Sequence, residues 1–190
     1  PGAALRAAEL MQRAGEVDRL EVSRSPGDAA RLAREAREAG DVDGIVAIGG
    51  DGTTFEILGG LDRARHALAV VPVGHGNCLA RDLGVGTVAA ARAALCAASD
   101  AASDAASNAA SSASLRAIDL MDVTMYGERG SVSRRLGACT FAAGYVAQVA
   151  AMGRRRLPGL GRAAYAVAST ITMPRPLHAT LSLDGRDVAV

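Results

Sequence analysis

There is no lysine in this chain. All 21 basic residues are arginine, set against 20 acidic ones for a formal net charge of +1. The absence excludes a G-x-x-x-x-G-K phosphate loop, whose lysine reaches the phosphates. It also excludes a protein-kinase site and Schiff-base catalysis. The near-neutral balance carries no signature of a nucleic-acid partner. Tryptophan is missing too, and three Tyr and two Phe are the only aromatics. With 49% apolar residues, many of them Ala, the core must come from Val, Leu, Ile and close Ala packing. The three cysteines, Cys78, Cys96 and Cys139, are odd in number and far apart. They offer neither a disulfide framework nor C-x-x-C metal spacing, so a reducing, cytoplasmic setting and no protein-only metal site are expected. No run of 18 apolar residues occurs, which predicts no transmembrane segment. No signal peptide is visible, and a start at Pro1-Gly2 rather than Met leaves an upstream targeting segment open.

Glycine, by contrast, is plentiful, and one glycine turn organises the rest. Gly49-Gly50-Asp51-Gly52-Thr53 follows the apolar run Gly44-Ile45-Val46-Ala47-Ile48, a buried strand by its β-branched content. It precedes Thr54 to Leu61, a predicted helix that Thr53 would cap, with Glu56 three residues on. Strand, glycine turn and helix N-terminus together make an anion site: glycines admit the backbone, and free N–H groups face the charge. The Asp51 carboxylate would repel a bare phosphate. It makes sense if it holds Mg²⁺ or takes a proton from an attacking hydroxyl, and both roles stay open. Taken alone, the five residues also fit a plain turn with Asp-Gly chosen for its backbone angles.

In chain order, Ala3 to Arg13 reads as a helix ended by Gly15, and Val17 to Ser23 alternates like a strand. A turn at Arg24 to Asp28 leads into a surface helix reaching Glu38, with Ser25 or Asp28 as its cap. Ala67 to Val73 is a second buried strand, followed by helices at Cys78–Leu83 and Thr87–Ala98. Alternating strands and helices predict a parallel sheet with helices on both faces, and such sheets bind ligands beyond the carboxyl ends of their strands. The turns at Gly49–Thr53 and Gly74–Asn77, and Ser23, all fall at such ends. From Ala97 to Ser112 the chain repeats Ala-Ala-Ser-Asp and variants of it, a surface linker or insertion with no chemistry. Strands are expected at 115–126 and 134–141, a short helix at 145–152, and a basic glycine-rich loop at 153–161 carrying Arg154, Arg155 and Arg156. A helix at 162–173 stops at Pro174, and a hairpin turns at Asp184-Gly185. Three regions result: an α/β domain at 1–96, the linker at 97–114, and the start of a β-rich domain at 115–190.

The second turn brings a resemblance. Pro72-Val73-Gly74-His75-Gly76-Asn77-Cys78-Leu79-Ala80-Arg81-Asp82-Leu83-Gly84 follows Gly49-Gly50-Asp51-Gly52-Thr53 by about one βα unit. Together the two motifs resemble the catalytic domain shared by diacylglycerol, sphingosine and ceramide kinases, and the likeness continues through Phe141-x-x-Gly144 into the arginine-rich stretch. It implies a phosphofructokinase/NAD kinase-like α/β domain followed by a β-sandwich, and transfer of the ATP γ-phosphoryl to a lipid hydroxyl with Mg²⁺. It also implies peripheral association with a membrane surface. By the same resemblance, Gly49, Gly50, Gly52 and Thr53 would hold ATP phosphates, and Asp51 would be base or Mg²⁺ partner. Glu56 and Ser23 would lie by the nucleotide, Gly74, His75 and Gly76 would line it, and Asn77 would pin the turn. Arg156 and Arg162 align with arginines that reach the phosphates.

The departures from the family pattern are informative. His75 replaces a hydroxyl residue, and Phe55 a polar one. Gln148 and Ala150 stand where sphingosine kinases carry Asp, one of which faces the substrate amine. A cationic amine needs a carboxylate, so a neutral lipid alcohol such as diacylglycerol or ceramide is the better expectation. The family's leading strand with its Asn-Pro-x-x-Gly turn, and its later acidic Asp-Gly segment, have no counterpart in these 190 residues, which read as a fragment. A non-catalytic nucleotide- or lipid-binding module is one alternative. NAD kinase, which shares a related G-G-D-G turn, is the other.

Overall fold

The structure, a computed structural model, describes residues 2–103, 116–127, 130–161, 163–174 and 180–188. The chain divides into two compact units, Pro1–Cys139 and Thr140–Val190. In the first, α1 (Gly2–Arg13) buries Ala8 and Met11. Gly15, at φ 71°, closes it as the sequence predicts. The N–H of Gly15 reaches the Gln12 carbonyl (3.1 Å) and that of Glu16 the Met11 carbonyl (2.9 Å), the paired bonds of a left-handed glycine stop. Glu16 then receives two hydrogen bonds from Arg92 Nε (2.9 and 3.1 Å), and these bonds hold its carboxyl below the usual range.

The strand expected at Val17–Ser23 is absent: this segment makes no ladder. Only Val17 packs into a core cluster, while Glu21, Val22 and Ser23 are exposed, so the alternation has no buried face to fix a register. The helix after it, α2 (Asp28–Ala39), starts from Gly27 at φ 92° without a side-chain cap. Ser25 and Asp28 therefore do not cap it. The Asp28 carboxylate instead accepts the N–H groups of Arg24 (2.9 Å) and Ser25 (3.1 Å) in the preceding turn, which lowers its pKa.

The parallel pair is as expected. β1 (Gly44–Gly49) and β2 (Ala67–Pro72) run in register from Gly44 opposite Ala67 to Gly49 opposite Pro72. Alternate residues serve opposite faces. Ile45, Ala47 and Leu68 pack with Ala29, Ala33, Ile57 and Leu61 of α2 and the α3 region (Asp51–Gly60). Val46, Ile48 and Val71 pack with Met11 of α1 and Ala91 of α5 (Val88–Ser103). Thr87 caps α5 through Oγ1 to the Ala90 N–H (3.1 Å). The helix runs on to Ser103, so the Ala/Ser repeat begins inside it, while residues 104–115 lie outside the described ones.

The next strands, β3 (Met121–Tyr126) and β4 (Val132–Gly137), form an antiparallel hairpin, shorter than the runs expected at 115–126 and 134–141. Just past β4, Ala138 and Cys139 pack against Val70, Leu79 and Ala80. That contact carries the first compact unit past the low-complexity segment to Cys139.

In the second unit, α6 (Tyr145–Arg156) continues four residues beyond the expected 152, and Arg154–Arg156 form its last turn rather than a loop. Arginine is a good helix former, and three cations suit the negative C-terminal end. Pro158, first residue of a 3₁₀ turn (Pro158–Leu160), ends it. The following helix, α7 (Ala163–Ile171), meets α6 through small residues: Val149 and Gly153 on one side, Ala164 and Ala168 on the other. The Tyr145 hydroxyl donates to the Ser169 carbonyl (2.5 Å) across this pair. Finally β5 (Leu181–Leu183) and β6 (Arg186–Val188) form the expected hairpin, with Asp184 (φ 49°) and Gly185 (φ 77°) both left-handed in its turn. Among the described residues this unit holds two helices, a 3₁₀ turn and one hairpin, and no helix is long and apolar enough to cross a membrane.

The tightest helix contact of the first unit passes over Gly60. A Cβ there would stand 2.5 Å from the Ala30 carbonyl oxygen and 2.8 Å from Ala33 Cβ. Gly60→Ala is expected to destabilise the fold by about 1–3 kcal/mol, the usual cost of overpacking, read from the urea midpoint. An unchanged midpoint would show that α2 and α3 are not packed this closely.

Candidate functional site

The two glycine turns leave the carboxyl ends of adjacent parallel strands, so they lie side by side. The ladder continues one step past β2, with the Val73 N–H on the Gly49 carbonyl (3.1 Å). Beyond it the two backbones touch. A Cβ on Gly74 would stand 2.5 Å from Gly50 Cα, and one on Gly50 would stand 3.3 Å from Gly74 Cα. One on Gly49 would meet Thr53 Cβ at 2.8 Å, and one on Gly76 would meet Asp51 Oδ2 at 2.9 Å. The fold's own backbone therefore requires glycine at Gly74, and its own atoms crowd the Cβ positions of Gly49, Gly50 and Gly76. Gly52 is different. It is exposed, and nothing lies within 4 Å of where its Cβ would be.

The two helices that leave the turns begin differently. Gly50, extended at φ −99°, is the N-cap of α3 and offers no side chain to it. The first bond of the helix runs from the Thr54 N–H to the Gly50 carbonyl (3.1 Å), so the N–H groups of Asp51, Gly52 and Thr53 precede the helical ladder. Thr53 is thus inside the first turn and is not the cap. Thr54 is nearly fully buried and turns its hydroxyl back to the Gly50 carbonyl (3.2 Å).

The other helix, α4 (Cys78–Asp82), follows Asn77, which is left-handed at φ 51°. Asn77 pins the turn, as expected, by bonding both polar groups of Gly74: its Oδ1 accepts the N–H (3.0 Å) and its Nδ2 donates to the carbonyl (2.7 Å). The cap of α4 comes from across the site. Asp51 Oδ2 accepts the Cys78 N–H (3.1 Å) and Oδ1 the Leu79 N–H (3.2 Å). One carboxylate therefore fills the N-terminus of α4, while that of α3 is left open.

The remaining expected residues are distributed as follows. The Glu56 Oε2 accepts the Gly27 N–H (3.0 Å), so this side chain ties α3 to the turn before α2. Ser23 is exposed in the segment leading to that turn, and His75 and Gly76 are exposed in the second glycine turn. Arg156 ends α6 in the second unit, and Arg162 lies outside the described residues. The structure brings together Gly49 to Thr53 with Gly74 to Asn77. Sequence reading missed the backbone N–H groups of Cys78 and Leu79 as partners of Asp51. Asn77 is by type a good cap for α4, but its amide is spent on Gly74, so the sequence carried no signal for this partner. Among the described residues, no group of three or more His, Cys, Asp or Glu is placed to hold a metal ion. A cavity of about 400 Å³ lies elsewhere, lined by Leu79, Asp82, Leu83, Arg116, Ile118 and Asp119 among others.

Comparison with known proteins now bears on this arrangement. The family model of the diacylglycerol kinase catalytic domain matches residues 3–120. A protein of Chromohalobacter salexigens named "Probable lipid kinase YegS-like" is 43% identical over 79 residues, covering 40% of this chain and 25% of that protein. A protein of the same name from Pseudomonas aeruginosa is 42% identical over 94 residues, covering 48% of this chain and 31% of that one. The chain thus spans about a quarter to a third of the length of these curated relatives. A solved structure described as a putative diacylglycerol kinase from Bacillus anthracis str. Sterne aligns with a TM-score of 0.41 at 22% identity, covering 71% of this chain and 58% of that chain.

Removing the carboxylate that caps α4 should cost stability whatever the site binds. Asp51→Ala is expected to lower stability by about 1–2 kcal/mol, the usual cost of losing a charged helix cap, measured by urea unfolding without ligand. Equal midpoints for variant and parent would mean that the cap contributes nothing.

Proposed function

The chain belongs to the diacylglycerol kinase catalytic domain family, and on that footing we propose that it serves the transfer of the ATP γ-phosphoryl group to a lipid hydroxyl. One observation carries the reading: the uncapped N-terminus of α3, with three N–H groups ahead of the helical ladder and open space over Gly52. An anion approaching α4 would meet the Asp51 carboxylate head-on; one approaching α3 over Gly52 meets uncapped N–H groups with open space at that position. These groups fit a polyphosphate. Gly74, His75 and Gly76 line the same opening, and Asn77 fixes their turn.

The turns hold no lysine or arginine, so the charge of a triphosphate calls for a cation beside Asp51. The donor set suits Mg²⁺, which binds through one or two carboxylates plus phosphate oxygens. Bound there, Mg²⁺ would neutralise phosphate charge. Each Asp51 oxygen spends one lone pair on an N–H and keeps another for that ion or for the proton of the acceptor hydroxyl. On the resemblance alone, Ser23 and Glu56 are assigned to the nucleotide and Arg156 and Arg162 to phosphate charge. On the same ground the hairpin β5–β6 is assigned to a β-sandwich, and the protein's place of work to the cytoplasmic face of a membrane. Gln148 and Ala150 leave α6 without a carboxylate at two positions where an amine-bearing lipid would call for one, which favours a neutral alcohol. A second reading, a nucleotide-binding module without turnover, draws on the same bonds, because both Asp51 oxygens already serve as a helix cap.

The test is ATP consumption with Mg²⁺ and mixed micelles of diacylglycerol, ceramide or sphingosine, with NAD as a further acceptor. Label is expected in diacylglycerol or ceramide, and Asp51→Asn should reduce it by about 10²-fold or more while ATP still binds. Bound ATP with no labelled acceptor would establish the module. Labelled NAD would make the protein an NAD kinase.

A further inference from the structure

The cavity of about 400 Å³ in the first unit takes no part in the proposed transfer. Its apolar wall is fixed by the core. Leu79, Leu83 and Ala138 line it, and all three belong to one cluster with Val70 and Ala80. Ile118, 40% exposed, adds a further apolar side chain. Three charged residues, Asp82, Asp119 and Arg116, line the same space, and all are exposed. No ion pair among the described residues engages any of the three. Both signs of charge are therefore left for a ligand.

The volume falls within the roughly 300–1,000 Å³ of small-molecule sites. With one more carboxylate than guanidinium, the lining does not suit an anion. A bare cation would meet Arg116 as well as the carboxylates, and would leave the apolar wall unused. The set matches a molecule with an ammonium group for Asp82 and Asp119, a carboxylate for Arg116, and an apolar arm for Leu79, Leu83 and Ile118. That is the chemistry of a free apolar amino acid. One short helix ties the cavity to the glycine turns. Leu79 gives its N–H to Asp51 Oδ1 (3.2 Å) while its residue lines the cavity, and the Leu83 N–H closes on the Leu79 carbonyl (2.9 Å). α4 has five residues, so a ligand held by Leu79, Asp82 and Leu83 acts on the whole helix that receives the Asp51 carboxylate.

We propose that this cavity is a regulatory site for a free apolar amino acid, coupled through α4 to the phosphate opening at α3. A ligand bridging Asp82 to Arg116 and Asp119 holds α4 where its N–H groups meet Asp51, the arrangement that leaves the α3 N-terminus open. Amino acid and nucleotide then favour each other's binding by the same factor. The site stands on its own residues, and the coupling alone rests on the nucleotide reading.

The experiment is calorimetric titration with L-leucine and with three of its parts. Isopentylamine lacks the carboxylate, 4-methylpentanoate lacks the amine, and glycine lacks the apolar arm. Leucine should bind about tenfold or more tightly than each. Arg116→Gln should weaken leucine about tenfold and leave isopentylamine no weaker. Asp82→Asn with Asp119→Asn should weaken leucine likewise and leave 4-methylpentanoate no weaker. These three side chains are exposed, and a variant that failed to fold would lose both ligands of its comparison. With leucine bound, ATP with Mg²⁺ should bind about fivefold or more tightly, and ATP should tighten leucine equally. No binding of leucine, or equal binding of leucine and its parts, would overturn the site. Leucine binding with unchanged ATP affinity would overturn the coupling. Leucine binding by a protein that binds no ATP would sink the nucleotide reading and leave the amino-acid site standing.

Discussion

Two N–H groups at the start of α4 have no partner within their own helix, and the carboxylate of Asp51, the first residue of α3, supplies one to each. This bond pair joins residues 27 and 28 positions apart. It sets the spacing of the two glycine turns and places one negative charge between two helix N-termini. Charge-assisted bonds of this kind are worth roughly twice a neutral one. Around it the backbones of Gly50 and Gly74 come into contact, and Gly76 leaves room for the carboxylate itself. With Asp51 placed on α4 in this way, α3 is the one of these two helices whose first turn has no side-chain cap among the described residues. The geometry of the opening thus follows from which helix received the cap.

Much of the scaffold was legible because it rests on local patterns. The apolar runs read at 44–48 and 67–73 are the parallel strands, observed at 44–49 and 67–72, and Gly15 and Asp184-Gly185 occupy the left-handed positions their turns require. Where the pattern had no tertiary counterpart, reading it failed. Val17 to Ser23 alternates, but Glu21, Val22 and Ser23 are all exposed, and no ladder forms. Arg154 to Arg156 look like a loop by charge and nearby glycine, yet helix propensity carries α6 through them until Pro158 intervenes. The contact of Ala138 and Cys139 with Val70 and Leu79 bridges roughly sixty to seventy positions, beyond any local signal, and it extends the first unit past the Ala/Ser repeat.

The site was legible as a pair of motifs and much less as a mechanism. Asn77 pins its turn as expected, because an amide beside a left-handed residue has few other partners. The glycines were harder to interpret. A glycine-rich turn suggests close approach by a ligand, but Gly49, Gly50, Gly74 and Gly76 are each explained by the protein's own atoms. Thr53 looked like a cap by residue type, whereas the helix begins two residues earlier, at Asp51. Glu56, assigned to the nucleotide by resemblance, spends a carboxylate oxygen on the Gly27 N–H.

Gly52 therefore separates a ligand site from a packing motif. It shares with Gly59, on the same helix, open space where a Cβ would be. The decisive measurement is calorimetric ATP binding, with Mg²⁺, to Gly52→Ala and Gly59→Ala, with urea stability recorded for both. Neither alanine should destabilise the fold, since alanine is the better helix former. Gly52→Ala should lose ATP affinity by about tenfold or more, a change of about 1.4 kcal/mol, and Gly59→Ala should lose none. A Gly52→Ala variant that binds ATP as tightly as the parent would contradict the assignment of the α3 N-terminus as the phosphate cradle.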